Sequence, residues 1–175
     1  MEKIFYARRS DHRNSENAVQ KILAEYFDVE NAAILRTENG KPYLEKGKDI
    51  PLFFSVSHTK DALFIAFCDE NVGIDAERLD KQVDYLPIIK RFSDTEREEI
   101  NSKQAFLRNF TAKESAVKWL GGSLARDFRK LQFVDGKIVY GEIRLPVYTA
   151  FPAFDGFVVA VTSERDFSRA ETILL

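Results

Sequence analysis

The chain has 175 residues, 45% of them hydrophobic and 31% charged, enough for one compact domain or two small fused halves with a buried core. Its 26 basic and 28 acidic side chains leave a formal charge of -2, which excludes a global attraction for nucleic acid and makes any anion site local. The single cysteine, Cys68, follows the apolar run 62–67 and reads as a core residue; with no basic-then-apolar start and no apolar run of membrane-spanning length, a cytoplasmic protein is the expectation.

In chain order, Ile4 to Ala7 reads as a short strand. Asn14-Ser15-Glu16 then supplies capping residues before Ala18, Ile22, Leu23 and Tyr26-Phe27, spaced as one face of an amphipathic helix. Residues 33–36 return as a strand, and Asn39-Gly40 marks a hairpin turn because both residues tolerate positive φ, which leaves Lys41-Pro42-Tyr43 at or just past it. Residues 52–57 form a strand, Ser57 to Asp61 a turn, Ala62 to Cys68 a buried run, and Asp69-Glu70-Asn71 a further turn. From Val72 to Glu77, Val72, Ile74 and Ala76 point one way and Gly73, Asp75 and Glu77 the other.

The polar stretch 78–84 is the expected junction between two halves, 1–80 and 81–175. Helical patterns dominate from Tyr85 to Trp119: Ser93-Asp94-Thr95-Glu96 places capping types before one helix, and Gln104 to Leu120 forms a longer one ended by Gly121-Gly122. Residues 131–162 read as short strands separated by Asp135-Gly136, Pro146 and Asp155-Gly156.

Two features bear on chemistry. Asp75 and Glu77, taken alone, describe the solvent face of an amphipathic strand; at i and i+2 they also offer a hard cation two oxygen ligands from rigid backbone, with Gly73 leaving room for a ligand. In the long helix, Phe106, Phe110, Val117 and Leu120 make a core stripe interrupted by Lys113, whose ammonium must snorkel outward or meet an anion such as a phosphate. Glu114 and Lys118, four apart, suit an exposed ion pair; the alternative gives the metal a third oxygen from Glu114 and sets Lys118 against charge building on a phosphate.

Gly73-Ile74-Asp75-Ala76-Glu77, followed by Phe110-Thr111-Ala112-Lys113-Glu114-Ser115-Ala116-Val117-Lys118, resembles the paired signatures of the 4′-phosphopantetheinyl transferases, most of all the larger surfactin-synthetase-activating type. Gly40-Lys41-Pro42, Phe54-Ser55-Val56-Ser57-His58 and Arg91-Phe92-Ser93-Asp94-Thr95-Glu96 extend the resemblance in the family's order; Phe110 stands where Trp is common.

The resemblance implies an α+β fold of two similar α/β halves in a pseudo-two-fold arrangement, with the active site in the cleft between them. It implies a monomeric enzyme that moves the phosphopantetheine arm of coenzyme A onto a serine of an apo acyl or peptidyl carrier protein, releasing adenosine 3′,5′-bisphosphate. By position, Asp75, Glu77 and Glu114 would hold magnesium, or manganese in its place; Glu114 would help deprotonate the serine, and Lys118 would neutralise transition-state charge. Lys41, Ser57, His58 and Lys113 would contact coenzyme A phosphates; the region before Gly40 is shorter than in the larger members, and Arg13, with Arg8 and Arg9 behind it, is the substitute expected to take the 3′-phosphate. Arg126, Arg129 and Lys130 are the basic residues expected to receive an acidic carrier protein, or else a solvated turn. A catalytically silent coenzyme A or carrier-protein binder, and a metal-dependent nuclease, are the competing classes.

Overall fold

Continuous apolar runs build the central strands, and two long amphipathic helices cover the sheets. The structure, a computed structural model, describes residues 1–8, 14–45 and 51–175. Its elements run β1 (Glu2–Arg8), α1 (Ser15–Phe27), β2 (Ile34–Arg36), β3 (Pro42–Leu44), β4 (Phe53–His58), β5 (Ala62–Cys68) and β6 (Val72–Arg78). Next come α2 (Leu86–Ile89), α3 (Asp94–Glu99), α4 (Lys103–Leu120), α5 (Leu124–Asp127), β7 (Leu131–Val134), β8 (Lys137–Tyr140) and β9 (Ile143–Arg144). β10 (Tyr148–Ala150), β11 (Phe157–Ser163), a 3₁₀ turn (Phe167–Arg169) and β12 (Glu171–Leu174) complete the chain. Among the described residues no helix is long and apolar enough to cross a membrane.

One sheet has the order β12-β1-β5-β4 and a second β10-β11-β6. They share a core in which Ile4, Phe64 and Ala66 of the first meet Val72, Ile74, Ala76, Val159 and Val161 of the second, together with Cys68. On the other face of the first sheet, Ala18, Val19, Ile22 and Leu23 of α1 pack against Phe5, Leu63, Ile65 and Phe67. The many phenylalanines work as edge-to-face neighbours, as in Phe5–Phe67 at 5.7 Å and Phe64–Phe154 at 5.1 Å.

Both sheets draw strands from either side of residue 80. β6, with Asp75 and Glu77, pairs antiparallel with β11 and so belongs to the second sheet, while β12 returns to lie parallel to β1 in the first. β6 also lacks a solvent face over most of its length, since Val72 through Ala76 are all buried. The room at Gly73 holds backbone rather than a ligand: a Cβ there would sit 2.0 Å from the Ser115 carbonyl oxygen and 2.5 Å from the Trp119 nitrogen. Only glycine lets α4 press this closely onto the strand.

The hydroxyl of Ser102 caps α4 by accepting from the Ala105 N–H, and Gly121 ends the helix in the left-handed region at φ 65°. Phe106 and Val117 are buried as expected, whereas Leu120 is exposed.

Candidate active site

β4 and β6 are the adjoining edges of the two sheets, and side chains rather than a backbone ladder join them. The N–H groups of Ile74 and Ala76 donate to the hydroxyls of Ser55 and Ser57, each at 3.1 Å. The matching carbonyls receive lysines. Lys118 Nζ donates to Ile74 O at 2.9 Å, Val56 O at 3.3 Å and Asp75 Oδ1 at 2.8 Å. Lys41 Nζ donates to Val72 O and Trp119 O at 3.3 Å each and to Asn71 Oδ1 at 2.7 Å. Groups on a strand edge buried at a join need partners, and Ser55, Ser57, Lys41, Lys118 and Asn71 supply them from outside β6.

This seam is where α4 crosses β6, and it brings Asp75, Glu114 and Lys118 together. Asp75 is 4% exposed; its Oδ1 accepts from the Ser57 hydroxyl at 3.1 Å as well as from Lys118, while its Oδ2 is buried with no hydrogen-bond partner. Glu114 is half-buried on α4, and burial pushes its carboxyl up to about 8. The charges of Asp75 and Glu77 push the same way, Lys118 opposes them, and a proton held by Glu114 can be donated to Asp75. Glu77 Oε1 turns to Lys81 at 2.7 Å.

The three carboxylates line one cavity of about 870 Å³ together with Ser57, His58 and Lys118. They are not drawn into a tight cluster. Among the described residues, the set of three His, Cys, Asp or Glu ligand atoms within 4.8 Å of one another is Glu2, Cys68 and Asp69. There, Asp69 already pairs with the N-terminal ammonium and Arg165. A bare buried carboxylate oxygen and an all-oxygen donor set nonetheless fit a hard divalent cation. An adjoining cleft of about 500 Å³, which also reaches His58, Glu114 and Lys118, is lined by Arg36, Gly40, Pro42 and Gly121.

One residue expected at a coenzyme A phosphate is engaged elsewhere. Lys113 neither snorkels nor reaches the cleft: it is fully buried, 3.0 Å from Glu96, over the rings of Phe92 at 4.3 Å and Phe128 at 4.4 Å. Glu96 is the anion it meets, one that also completes the capping box with Ser93 and accepts from the Phe133 N–H at 3.0 Å. Ser57 and Lys41 hydrogen-bond along the seam, and Ser57 also lines the larger cavity and Lys41 the adjoining cleft. Ser57 and His58 also belong to β4 rather than to the turn.

His58 is exposed and borders both cavities. Arg13, and Arg9 with it, lies outside the described residues. Arg126 is drawn to the buried carboxylate of Asp127, while Arg129 and Lys130 stay exposed. Lys118 pairs with Asp75 instead of Glu114.

Sequence reasoning missed the structural work of Ser55, Asn71 and Glu96. Two serines at i and i+2 in an otherwise apolar strand, and a glutamate three after Ser93, were the available signals.

The profile of the 4′-phosphopantetheinyl transferase superfamily matches residues 71–162, more than half of the chain, from β6 through α4 into β11. The chain belongs to that superfamily. It is 30% identical over 152 residues to the L-aminoadipate-semialdehyde dehydrogenase-phosphopantetheinyl transferase of Homo sapiens, covering 73% of this chain and 49% of that protein. Against a 4′-phosphopantetheinyl transferase of Aneurinibacillus migulanus the identity is 29% over 114 residues, 61% of this chain and 46% of the relative. One from Paxillus involutus is 28% identical over 138 residues, 60% and 52% of the two chains. The chain thus spans about half the length of the curated relatives it matches. The superfamily match includes Asp75, Glu77, Lys113, Glu114 and Lys118, and leaves out Lys41, Ser57 and His58.

Proposed function

We propose that the chain transfers the 4′-phosphopantetheine arm of coenzyme A to a serine of an apo acyl or peptidyl carrier protein, releasing adenosine 3′,5′-bisphosphate, in a magnesium-dependent reaction. The observation that supports this most is the buried carboxylate of Asp75, its Oδ1 held by Ser57 and Lys118 and its side chain near enough to Glu114 to share a proton. The names of the relatives agree with it.

Asp75, Glu114 and Glu77 would hold the cation, which when bound offsets charge on the pyrophosphate. Glu114, beside the cation it would help hold, would also accept the serine proton. Lys118 keeps its ammonium on the cavity wall, its side chain 31% exposed, where positive charge favours the electron-rich phosphoryl oxygens. His58, at the border of both cavities, is placed to contact a coenzyme A phosphate. Phosphoryl transfer asks chiefly for alignment and charge neutralisation, so this inventory needs no covalent nucleophile. A monomer that folds as its own pseudo-dimer agrees with two sheets that each carry a long helix.

Incubation with coenzyme A, magnesium and a panel of apo carrier proteins should add the phosphopantetheine mass to at least one carrier. Alanine at Asp75, Glu77 or Glu114 should abolish the addition while the protein stays folded; turnover retained in all three variants would refute the assigned roles.

A further inference from the structure

The chain leaves α4 through Gly121 and enters α5 at Leu124, and this connection, 121–124, walls the cleft of about 500 Å³ together with Arg36, Gly40 and Pro42. With two glycines in four positions the wall has little side chain of its own to fix it, and its backbone is held from outside. Asn39 Nδ2 donates to Gly121 O at 2.8 Å, Arg91 Nη2 donates to Leu124 O at 3.2 Å, and Asp127 Oδ2 accepts the Ser123 N–H at 2.8 Å.

Of these three anchors Asp127 is the buried one, and its carboxylate is fully engaged. Oδ1 accepts from the Tyr140 hydroxyl at 3.0 Å, and Arg126 donates to both oxygens at 3.0 to 3.2 Å. Asp127 itself lines neither cavity of the site. Its contact with the wall is close as well as polar: a Cβ at Gly122 would lie 2.4 Å from Asp127 Oδ2. The glycine backbone is laid against the carboxylate, so the place of that oxygen sets the place of the wall.

We propose that Asp127 is a positioning residue for coenzyme A: through the Gly122–Ser123 backbone it sets the wall of the cleft that takes the coenzyme, without touching coenzyme or metal. This rests on the transferase reading above, and the experiment separates the two. Coenzyme A binding with Mg²⁺ present is measured by calorimetry for the wild type, Asp127→Ala, Asp127→Asn and Tyr140→Phe, at a temperature where circular dichroism shows each folded. Transfer kinetics follow on a carrier that the wild type modifies.

Asp127→Ala should raise the coenzyme A dissociation constant and KM roughly 10-fold or more, the scale of a small misplacement at a binding wall, and keep kcat within about 2-fold. The chemistry is spared because Glu114 and Lys118 sit on α4, whose end is closed separately by the Gly121 and Gly122 N–H groups on the Lys118 and Val117 carbonyls. Asp127→Asn should retain coenzyme A affinity: Ser123 N can only donate and the Tyr140 hydroxyl can accept, so the amide oxygen stays on the wall and its NH₂ turns to the tyrosine. Tyr140→Phe should lower Tm and leave the affinity within about 2-fold. Were Asp127→Ala not to fold, Gly122→Ala, whose methyl pushes the wall off an intact carboxylate, is judged by the same constants.

Unchanged coenzyme A affinity in folded Asp127→Ala would overturn the proposal. Equal losses in Asp127→Ala and Tyr140→Phe would overturn it too, by assigning the effect to a general loosening of the network. A wild type that binds coenzyme A but modifies no carrier would bring down the transferase reading, while the binding constants would still decide on Asp127.

Discussion

Replacing Lys113 by methionine should cost about 3 to 5 kcal/mol, the range for removing one partner of a buried ion pair. Both side chains of the Lys113–Glu96 pair are 0% exposed, so water cannot take over when the ammonium goes. Glu96 would keep Ser93 N, Ser93 Oγ and Phe133 N as neutral donors at 2.8 to 3.0 Å, which places Lys113→Met toward the lower end. Glu96→Ala should cost more, since it also orphans the Phe133 N–H and removes the α3 capping box, each worth about 1 kcal/mol or more. The double variant, with no charge left unpaired, should be less damaged than the sum of the singles by at least about 1 kcal/mol.

Urea unfolding followed by circular dichroism gives all three values, and a loss of about 3 kcal/mol should appear as a drop in Tm of roughly 6 to 12 °C. Singles that each cost under about 1 kcal/mol and add without coupling would refute a desolvated pair. Coenzyme A affinity in folded Lys113→Met should be unchanged, because the ammonium lies in a core and not at a phosphate.

Gly73→Ala should destabilise strongly, by about 3 kcal/mol or more, because a methyl 2.0 Å from the Ser115 carbonyl must push α4 off β6; wild-type Tm in this variant would refute the close approach. For metal-free protein, Glu114 ties stability to pH. Its folded pKa of about 8 lies above the ordinary 4.5, so the folded state binds the extra proton and this contribution falls as pH rises between those values, then levels off. Thermal unfolding in chelator across that window should show a decline that Glu114→Gln lacks, and parallel curves would count against it. Asp127 works in the opposite sense: hydrogen bonds from Arg126, Ser123 N and Tyr140 hold its carboxyl near 2, so its stabilisation is present above 3.8 and lost toward 2. Asp127→Asn should flatten the acid limb of a stability-against-pH curve, and an unaltered limb would contradict the network.

What the sequence made legible was local. The alternation of β6, the stripe of α4 and the spacing of Asp75, Glu77 and Glu114 follow from periodicities of two and 3.6, and the structure places all three acids on one cavity. What stayed hidden was pairing between distant residues. That Lys118 would sit between Val56 and Ile74, or that Lys41 would reach Trp119, depends on which strand edges adjoin, and no short-range pattern encodes that. The return of β12 beside β1 was missed for the same reason. The stripe of α4 marks Lys113 as an ammonium in need of an anion, but not which one: it is Glu96, 17 positions earlier, whose Oε2 accepts from Lys113 as well as from the Ser93 cap.

The serines and lysines between β4 and β6 act as caps on two raw strand borders as well as mortar between them. Should acid or denaturant pry the units apart, each border would be stripped at once, and a neighbouring molecule could supply the missing backbone partners. Partly opened protein is therefore the form expected to self-associate, and additives that tighten this joint should suppress clumping before they measurably raise the melting point.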